Sequence, residues 1–175
     1  MDALEPFVCP TSFRVQDPPP LEYLIDPNYS SFDIQLEVQI QSKNMKTPAT
    51  VCRSNYANMY WNARQQLVHH SVTGCMMRAG DLLGSGTISG LTPESYGSML
   101  ELCWNGTKEV PLGESGETRK FLQDGDAIIM KGSCKNKSEN NLSPRVGFGT
   151  CIGSIFPSNT KLIEDGGLGR WKALI

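Results

Sequence analysis

Glu101 lies in the segment Ser98-Met99-Leu100-Glu101-Leu102-Cys103-Trp104. Read as a strand, this segment puts Leu100, Leu102 and Trp104 on one face and Met99, Glu101 and Cys103 on the other. A carboxylate in that apolar, sulfur-rich company loses solvation, so its charged form is disfavoured unless a cation or a hydrogen-bond donor meets it. Two readings follow: a partnered, functional carboxylate, or a solvated glutamate on the outer face of a strand.

Upstream runs Gly84-Ser85-Gly86-Thr87-Ile88-Ser89-Gly90. The glycine spacing is wrong for a dinucleotide loop, and Gly90 and Pro93 stop the helix that such a loop requires. What remains is a glycine-permitted bend. It either presents N–H groups and the hydroxyls of Ser85, Thr87 and Ser89 to an anion, or simply connects two elements. His69 and His70 are the only histidines. Adjacent helical positions point about 100° apart, so this pair is poorly placed to clasp one metal ion and is expected to pack or cap near a helix end. No Asp, Glu or His cluster has metal-ligand spacing, and no Ser, Cys and His set forms a nucleophile motif.

These groups must be held by a β-rich scaffold. Ile34, Leu36, Val38 and Ile40 alternate with Asp33, Gln35, Glu37 and Gln39, which predicts a half-buried strand. One main helix is predicted over about 55–70, capped by Ser54, with Tyr56, Met59, Tyr60, Ala63 and Leu67 at helical spacing. Further strands are predicted from Asp81, over Ser98 to Trp104, and from Thr107 to Leu112 after a turn at Asn105-Gly106. Two more are predicted over Ala127 to Ser133 and Val146 to Ile155. Residues 5–30 carry Pro6, Pro10, Pro18, Pro19, Pro20 and Pro27, too many for helix or central strand. Phe7, Phe13, Leu21, Tyr23 and Leu24 make this stretch a loop that packs along the domain. Residues 135–143 read as a surface loop. The fold class is α+β, mostly β.

The chain has 175 residues, enough for one domain with a real core. Its 39% hydrophobic and 19% charged residues are those of a soluble globular protein. A formal net charge of −2 gives no reason to invoke nucleic acid or an anionic membrane. Met1 to Pro6 lacks the features of a secretory leader, and no apolar run approaches a membrane span. The six cysteines, at 9, 52, 75, 103, 134 and 151, are widely spaced and are expected to be a reduced, cytoplasmic set.

Several long runs resemble the fumarylacetoacetate hydrolase family, within its C-terminal catalytic domain. They are Val51-Cys52-Arg53-Ser54-Asn55-Tyr56, Met59-Tyr60-Trp61 and Gln65 to Val72; Gly80-Asp81-Leu82-Leu83-Gly84-Ser85-Gly86-Thr87-Ile88-Ser89-Gly90; Gly97-Ser98-Met99-Leu100-Glu101-Leu102; Gly116 to Leu122; and Gly147-Phe148-Gly149. The resemblance covers residues 1–157 as a partial catalytic domain and leaves 158–175 as a divergent tail. It implies part of a mixed β-roll from an enzyme, usually a homodimer, that hydrolyses a carbon–carbon bond of fumarylacetoacetate to fumarate and acetoacetate in tyrosine and phenylalanine catabolism. Calcium, with magnesium nearby, is the implied cofactor and holds the diketone oxygens. A histidine activates water and a glutamate pairs with it. The resemblance assigns that glutamate to Glu101 and a substrate-contacting threonine to Thr87. The family's catalytic histidine, metal-binding carboxylates, and the arginine and lysine that stabilise the leaving carbanion lie before the matched region, and His69 and His70 match non-catalytic positions. The expectation is a fragment inactive alone. The alternative is a non-catalytic paralogue acting as a dimerisation or partner-binding module. A hydratase or decarboxylase of the wider superfamily fits less well, given the proline-rich entry and Tyr60-Trp61.

Overall fold

The computed structural model describes residues 2–9, 15–135 and 145–158. Its centre is a four-stranded antiparallel sheet built from β1 (Gln35–Gln41), β2 (Ala49–Asn55), β5 (Ala127–Lys135) and β6 (Arg145–Ser154), in the order β2-β1-β5-β6. Two short strands, β3 (Val110–Pro111) and β4 (Thr118–Arg119), pair separately. Two α-helices accompany them, α1 (Ala63–Ser71) and α2 (Met99–Leu102). The predicted mostly β, α+β class is the observed one.

The alternation around Ile34 to Ile40 works as expected. Val38 lies opposite Cys52 on β2 and Met130 on β5, and Ile40 lies opposite Ala49 and Ile128. These partners share one face because opposed residues in a ladder point the same way. That face is packed at its two ends. Phe7, Ile34 and Cys134 form one buried cluster with Phe32, Tyr56 and Val146 against it; Ile40, Ala49 and Leu112 form the other, with Val51 and Met99.

The proline-rich entry packs along the domain in part: Phe7 and Leu24 are buried, Leu21 and Tyr23 are exposed, and residues 10–14, with Phe13, lie outside the described residues. Asp26 accepts from Asn62 Nδ2 and Arg64 Nε at 2.8 and 2.9 Å, Gln65 donates to the Leu24 carbonyl at 2.9 Å, and Tyr29 donates to the Tyr60 carbonyl at 2.8 Å. These bonds fix residues 24–29 on α1 and on the turn before it.

Four sequence expectations are corrected. The helix does not run over 55–70. Ser54 and Asn55 end β2, a 3-10 turn occupies Tyr56–Asn58, and α1 begins only at Ala63. The apolar spacing of Tyr56, Met59 and Tyr60 imitates a helix, but Asn62 and Gln65 form the capping box that sets the start. The segment from Asp81 forms no strand; Leu82 there is 97% exposed. Ser98 to Trp104 is not a strand either. It contains α2, and Asn105-Gly106 ends that helix instead of turning a hairpin. Trp104, Asn105 and Gly106 all take positive φ, of 50°, 54° and 80°, and the Asn105 and Lys108 amides return to the carbonyls of Leu100 and Cys103. The loop expected over 135–143 falls, apart from Lys135, outside the described residues; so does the tail after residue 158.

Candidate functional site

Ser98 is the N-cap of α2, and its Oγ accepts the Glu101 amide at 3.2 Å. Capping satisfies an amide that has no partner within the helix. It also fixes where the Glu101 side chain starts. The same Ser98 hydroxyl donates to Glu101 Oε2 at 2.9 Å. From the segment that runs past α2, Ser89 Oγ donates to both carboxylate oxygens, at 2.8 Å to Oε1 and 2.7 Å to Oε2. The Ser89 oxygen in turn accepts the Gly97 amide at 3.0 Å.

Two glycines allow this close approach. A Cβ at Gly97 would meet the backbone N and O of Ile88 at 2.9 Å, and one at Gly90 would meet Ser95 Oγ at 2.5 Å. The Gly90 amide donates to the Ser95 carbonyl at 2.9 Å. Segments 88–90 and 95–97 therefore lie against each other, and the glycine bend of the sequence serves to place Ser89. Ser85 is occupied by the neighbouring Gly86 carbonyl at 3.1 Å, and Thr87 is exposed.

Glu101 thus has partners, and they are hydroxyl donors. It is half-buried. Beside it opens an apolar groove of about 200 Å³, lined by Val38, Cys52, Met99, Leu102, Ile128 and Met130 among others. Burial pushes the Cys52 thiol above its usual pKa, and the Glu101 charge adds to the shift. Cys52 is therefore a poor thiolate and behaves as a small apolar lining group. A second apolar hollow, about 360 Å³, continues over the sheet at Leu36, Tyr56, Met130, Gly132 and Phe148. Burial raises the Tyr56 phenol there too.

The histidines stand at the end of α1, exposed, with His69 Nδ1 3.1 Å from the Tyr23 hydroxyl and its ring stacked on that phenol. For His69 this is the packing role expected. Among the described residues no three His, Cys, Asp or Glu side chains converge to hold a metal ion. The described residues therefore do not by themselves supply a ligand set for the divalent cations that the resemblance implies.

Ser98 is a Glu101 contact that sequence reading missed, and Ser89 was named there only as one of three hydroxyls that could face an anion, not as a partner of Glu101. The signal for Ser98 was present, since Ser98-Met99-Leu100-Glu101 has the spacing of a capping box. Nothing local could point Ser89 at a residue 12 positions away. Also missed was the buried Arg119–Asp126 pair, which is structural.

Fold and site define a mostly β, α+β domain that holds one oriented carboxylate beside an apolar groove. Residues 8–153 match the family model described as fumarylacetoacetate (FAA) hydrolase C-terminal. The fumarylacetoacetases of Rattus norvegicus and Homo sapiens are 52% and 51% identical to the chain over 158 residues, 90% of this chain and 36% of theirs. That of Arabidopsis thaliana is 50% identical over 158 residues, 90% of this chain and 35% of its own length. The chain belongs to the fumarylacetoacetate hydrolase family, and it spans 36% of the length of the rat and human relatives.

Proposed function

We propose that the chain supplies the C-terminal part of a fumarylacetoacetase active site, which hydrolyses a carbon–carbon bond of fumarylacetoacetate to fumarate and acetoacetate. The observation that carries this reading is the carboxylate of Glu101, held half-buried by two serine hydroxyls and meeting no cation among the contacts described. Such a group is set to accept one more donor. In the proposed reaction that donor is the N–H of a histidine base. The charge of Glu101 then favours the imidazolium formed when the base takes a proton from water. Thr87, exposed on the bend two residues before Ser89, is proposed to contact the substrate.

The proposal includes a homodimer, a cytoplasmic setting, and calcium and magnesium as cofactors. The described side chains do not themselves converge on a cation. Residues 1–157 are proposed as the catalytic-domain part and 158–175 as a separate tail. Base, cation and electrostatic clamp each contribute orders of magnitude to such chemistry. Residues 1–175 alone, supplied with calcium or magnesium, are therefore expected not to hydrolyse acylpyruvate-type diketones above background. The reading of Glu101 is tested in rat fumarylacetoacetase whose matching 158 residues are replaced by those of this chain. Turnover there, lost on Glu101→Gln with substrate binding retained, supports it. Parental turnover of Glu101→Gln refutes it.

A further inference from the structure

A carboxylate that must receive a base is useful only if it presents one oxygen in one direction. An aspartate or glutamate has about four acceptor sites on two oxygens. At Glu101 the hydroxyl contacts are unequal. Oε2 faces both Ser89 and Ser98, at 2.7 and 2.9 Å, whereas Oε1 faces Ser89 alone at 2.8 Å. Oε1 therefore keeps more acceptor capacity. The direction of each hydroxyl proton is also set. Ser98 Oγ accepts the Glu101 amide and Ser89 Oγ accepts the Gly97 amide, so each oxygen has a lone pair engaged and its proton turned towards the carboxylate.

The two serines differ in what else they do. Ser98 caps α2, so its removal would loosen the helix as well as the carboxylate. Ser89 lies outside any helix or strand and bridges both oxygens. We propose that Ser89 is a positioning residue for Glu101: its hydroxyl, oriented by the Gly97 amide, spans the carboxylate and leaves Oε1 to receive the base. This rests on the functional reading of Glu101 given above and adds a residue to it. Ser89 touches no reacting atom. It acts by holding a group whose angle and distance the base depends on, where small misplacements are costly.

The test is a double-mutant cycle in the rat–chain chimaera. Loss of a hydrogen bond to a charged group corresponds to about a ten- to hundredfold effect. Ser89→Ala should lower kcat by that factor with KM little changed, and Ser89→Thr, which keeps the hydroxyl, should restore most of it. Glu101→Gln should lower kcat about a hundredfold or more. The double variant should be no slower than Glu101→Gln alone, because Ser89 has nothing left to orient. A double variant slower by the full Ser89→Ala factor overturns the proposal, since Ser89 would then act independently of Glu101. So does parental kcat for Ser89→Ala beside a crippled Glu101→Gln, which leaves the functional reading standing. Parental turnover of Glu101→Gln overturns both. A second measurement uses the 175-residue chain itself. In chain labelled with carbon-13 at the glutamate carboxyls, the infrared carboxylate band removed by Glu101→Gln should shift in Ser89→Ala and stay in place in Ser89→Thr. An unshifted band in Ser89→Ala overturns the proposal without recourse to activity.

Discussion

The guanidinium of Arg119 closes on both carboxylate oxygens of Asp126, Nε to Oδ2 at 2.8 Å and Nη2 to Oδ1 at 2.9 Å. Asp126 is 1% exposed and also accepts the Gln123 amide at 2.9 Å. The same Nη2 of Arg119 also donates to Glu117 at 3.2 Å, and Ser42 donates to that glutamate at 2.9 Å. This network ties the end of β1 and the strand β4 to the start of β5. Removing one member of a buried pair strands the other charge, at a cost of about 3–5 kcal/mol. Asp126→Ala should therefore destabilise by about that much in urea unfolding. Glu117→Gln, at the wetter end, should cost under about 1 kcal/mol. Equal losses at the two positions would show that Arg119 does not discriminate between them.

Acid should expose the same pair. The hydrogen bond from Arg119 is the main cause that holds the Asp126 carboxyl below its usual value, against the opposing effect of burial, with the Gln123 amide and the Arg119 charge assisting. At Asp26, burial is the largest influence and pushes upward, but hydrogen bonds from Asn62 and Arg64 bring the net shift downward. Both folded-state values are depressed, so the folded chain takes up these protons less readily than the unfolded one. The stability they contribute is complete above the unfolded carboxylate value and is lost as pH falls through the folded one. The urea midpoint should stay flat from about pH 7 to 5 as far as these groups are concerned, and drop below about pH 4. Asp126→Asn should flatten that acid drop. A drop of unchanged depth in that variant would assign acid sensitivity elsewhere.

Asn62 offers a cleaner test of local structure. Its side chain accepts the Gln65 backbone N–H at 2.9 Å, its backbone N–H donates to Gln65 Oε1 at 3.1 Å, and its Nδ2 donates to Asp26 at 2.8 Å. Asn62→Ala removes the cap and one tether of residues 24–29 together. The expected cost is about 1–2 kcal/mol, the upper half of the range for a lost N-cap. Hydrogen exchange should quicken in the first turn of α1 and at Tyr29, and stay slow in β1 and β5. Uniform quickening would mean that α1 and the sheet open as one unit.

How much of this could be read from the chain depends on the range of the forces. β1 was legible because Ile34, Leu36, Val38 and Ile40 alternate without interruption, and one buried face enforces that register. The start of α1 was misplaced because Tyr56 is satisfied by packing against the sheet cluster and Tyr60 by bonds to the entry loop, without a helix. Glu101 was legible as a carboxylate that needs a partner, but its element and its neighbours were not: the face shared with Met99 and Cys103 assumed a strand, and in a helix those positions point apart. A four-residue helix is too short to show a period, and its residues fit strand alternation equally well. The Ser89–Glu101 and Arg119–Asp126 contacts join residues 12 and seven positions apart across turns, so only the folded path brings them together.

The apolar surface should also declare itself in solution. Phe148, Ile152 and Phe156 are 57%, 64% and 82% exposed on and after β6, and an apolar hollow lies over Met130 and Gly132. Exposed apolar surface of this kind favours association and dye binding. Concentration-dependent sedimentation and bound-dye fluorescence are the measurements. A monodisperse monomer that binds no dye and unfolds sharply would show that this surface is too dispersed to matter.

The last prediction concerns a residue with no functional group. Gly97 does not have positive φ, so an alanine there meets no backbone strain. What it meets is the Ile88 backbone, 2.9 Å from the new Cβ at both N and O. A side-chain tip could swing aside, but a backbone atom moves only with its segment. Gly97→Ala should therefore push residues 88–89 outward, at a cost typical of overpacking, about 1–3 kcal/mol. The Ser89 hydroxyl would lose the Gly97 amide and its hold on Glu101. A crystal structure of Gly97→Ala should show Ser89 Oγ beyond hydrogen-bond distance of the carboxylate. Turnover in the chimaera should fall about as far as in Ser89→Ala, and combining the two substitutions should add little, since both break the same contact. If Ser89 still reaches both carboxylate oxygens in that structure, the segments are more pliant than the close approach implies. Gly97 would then owe its place to something other than Ser89.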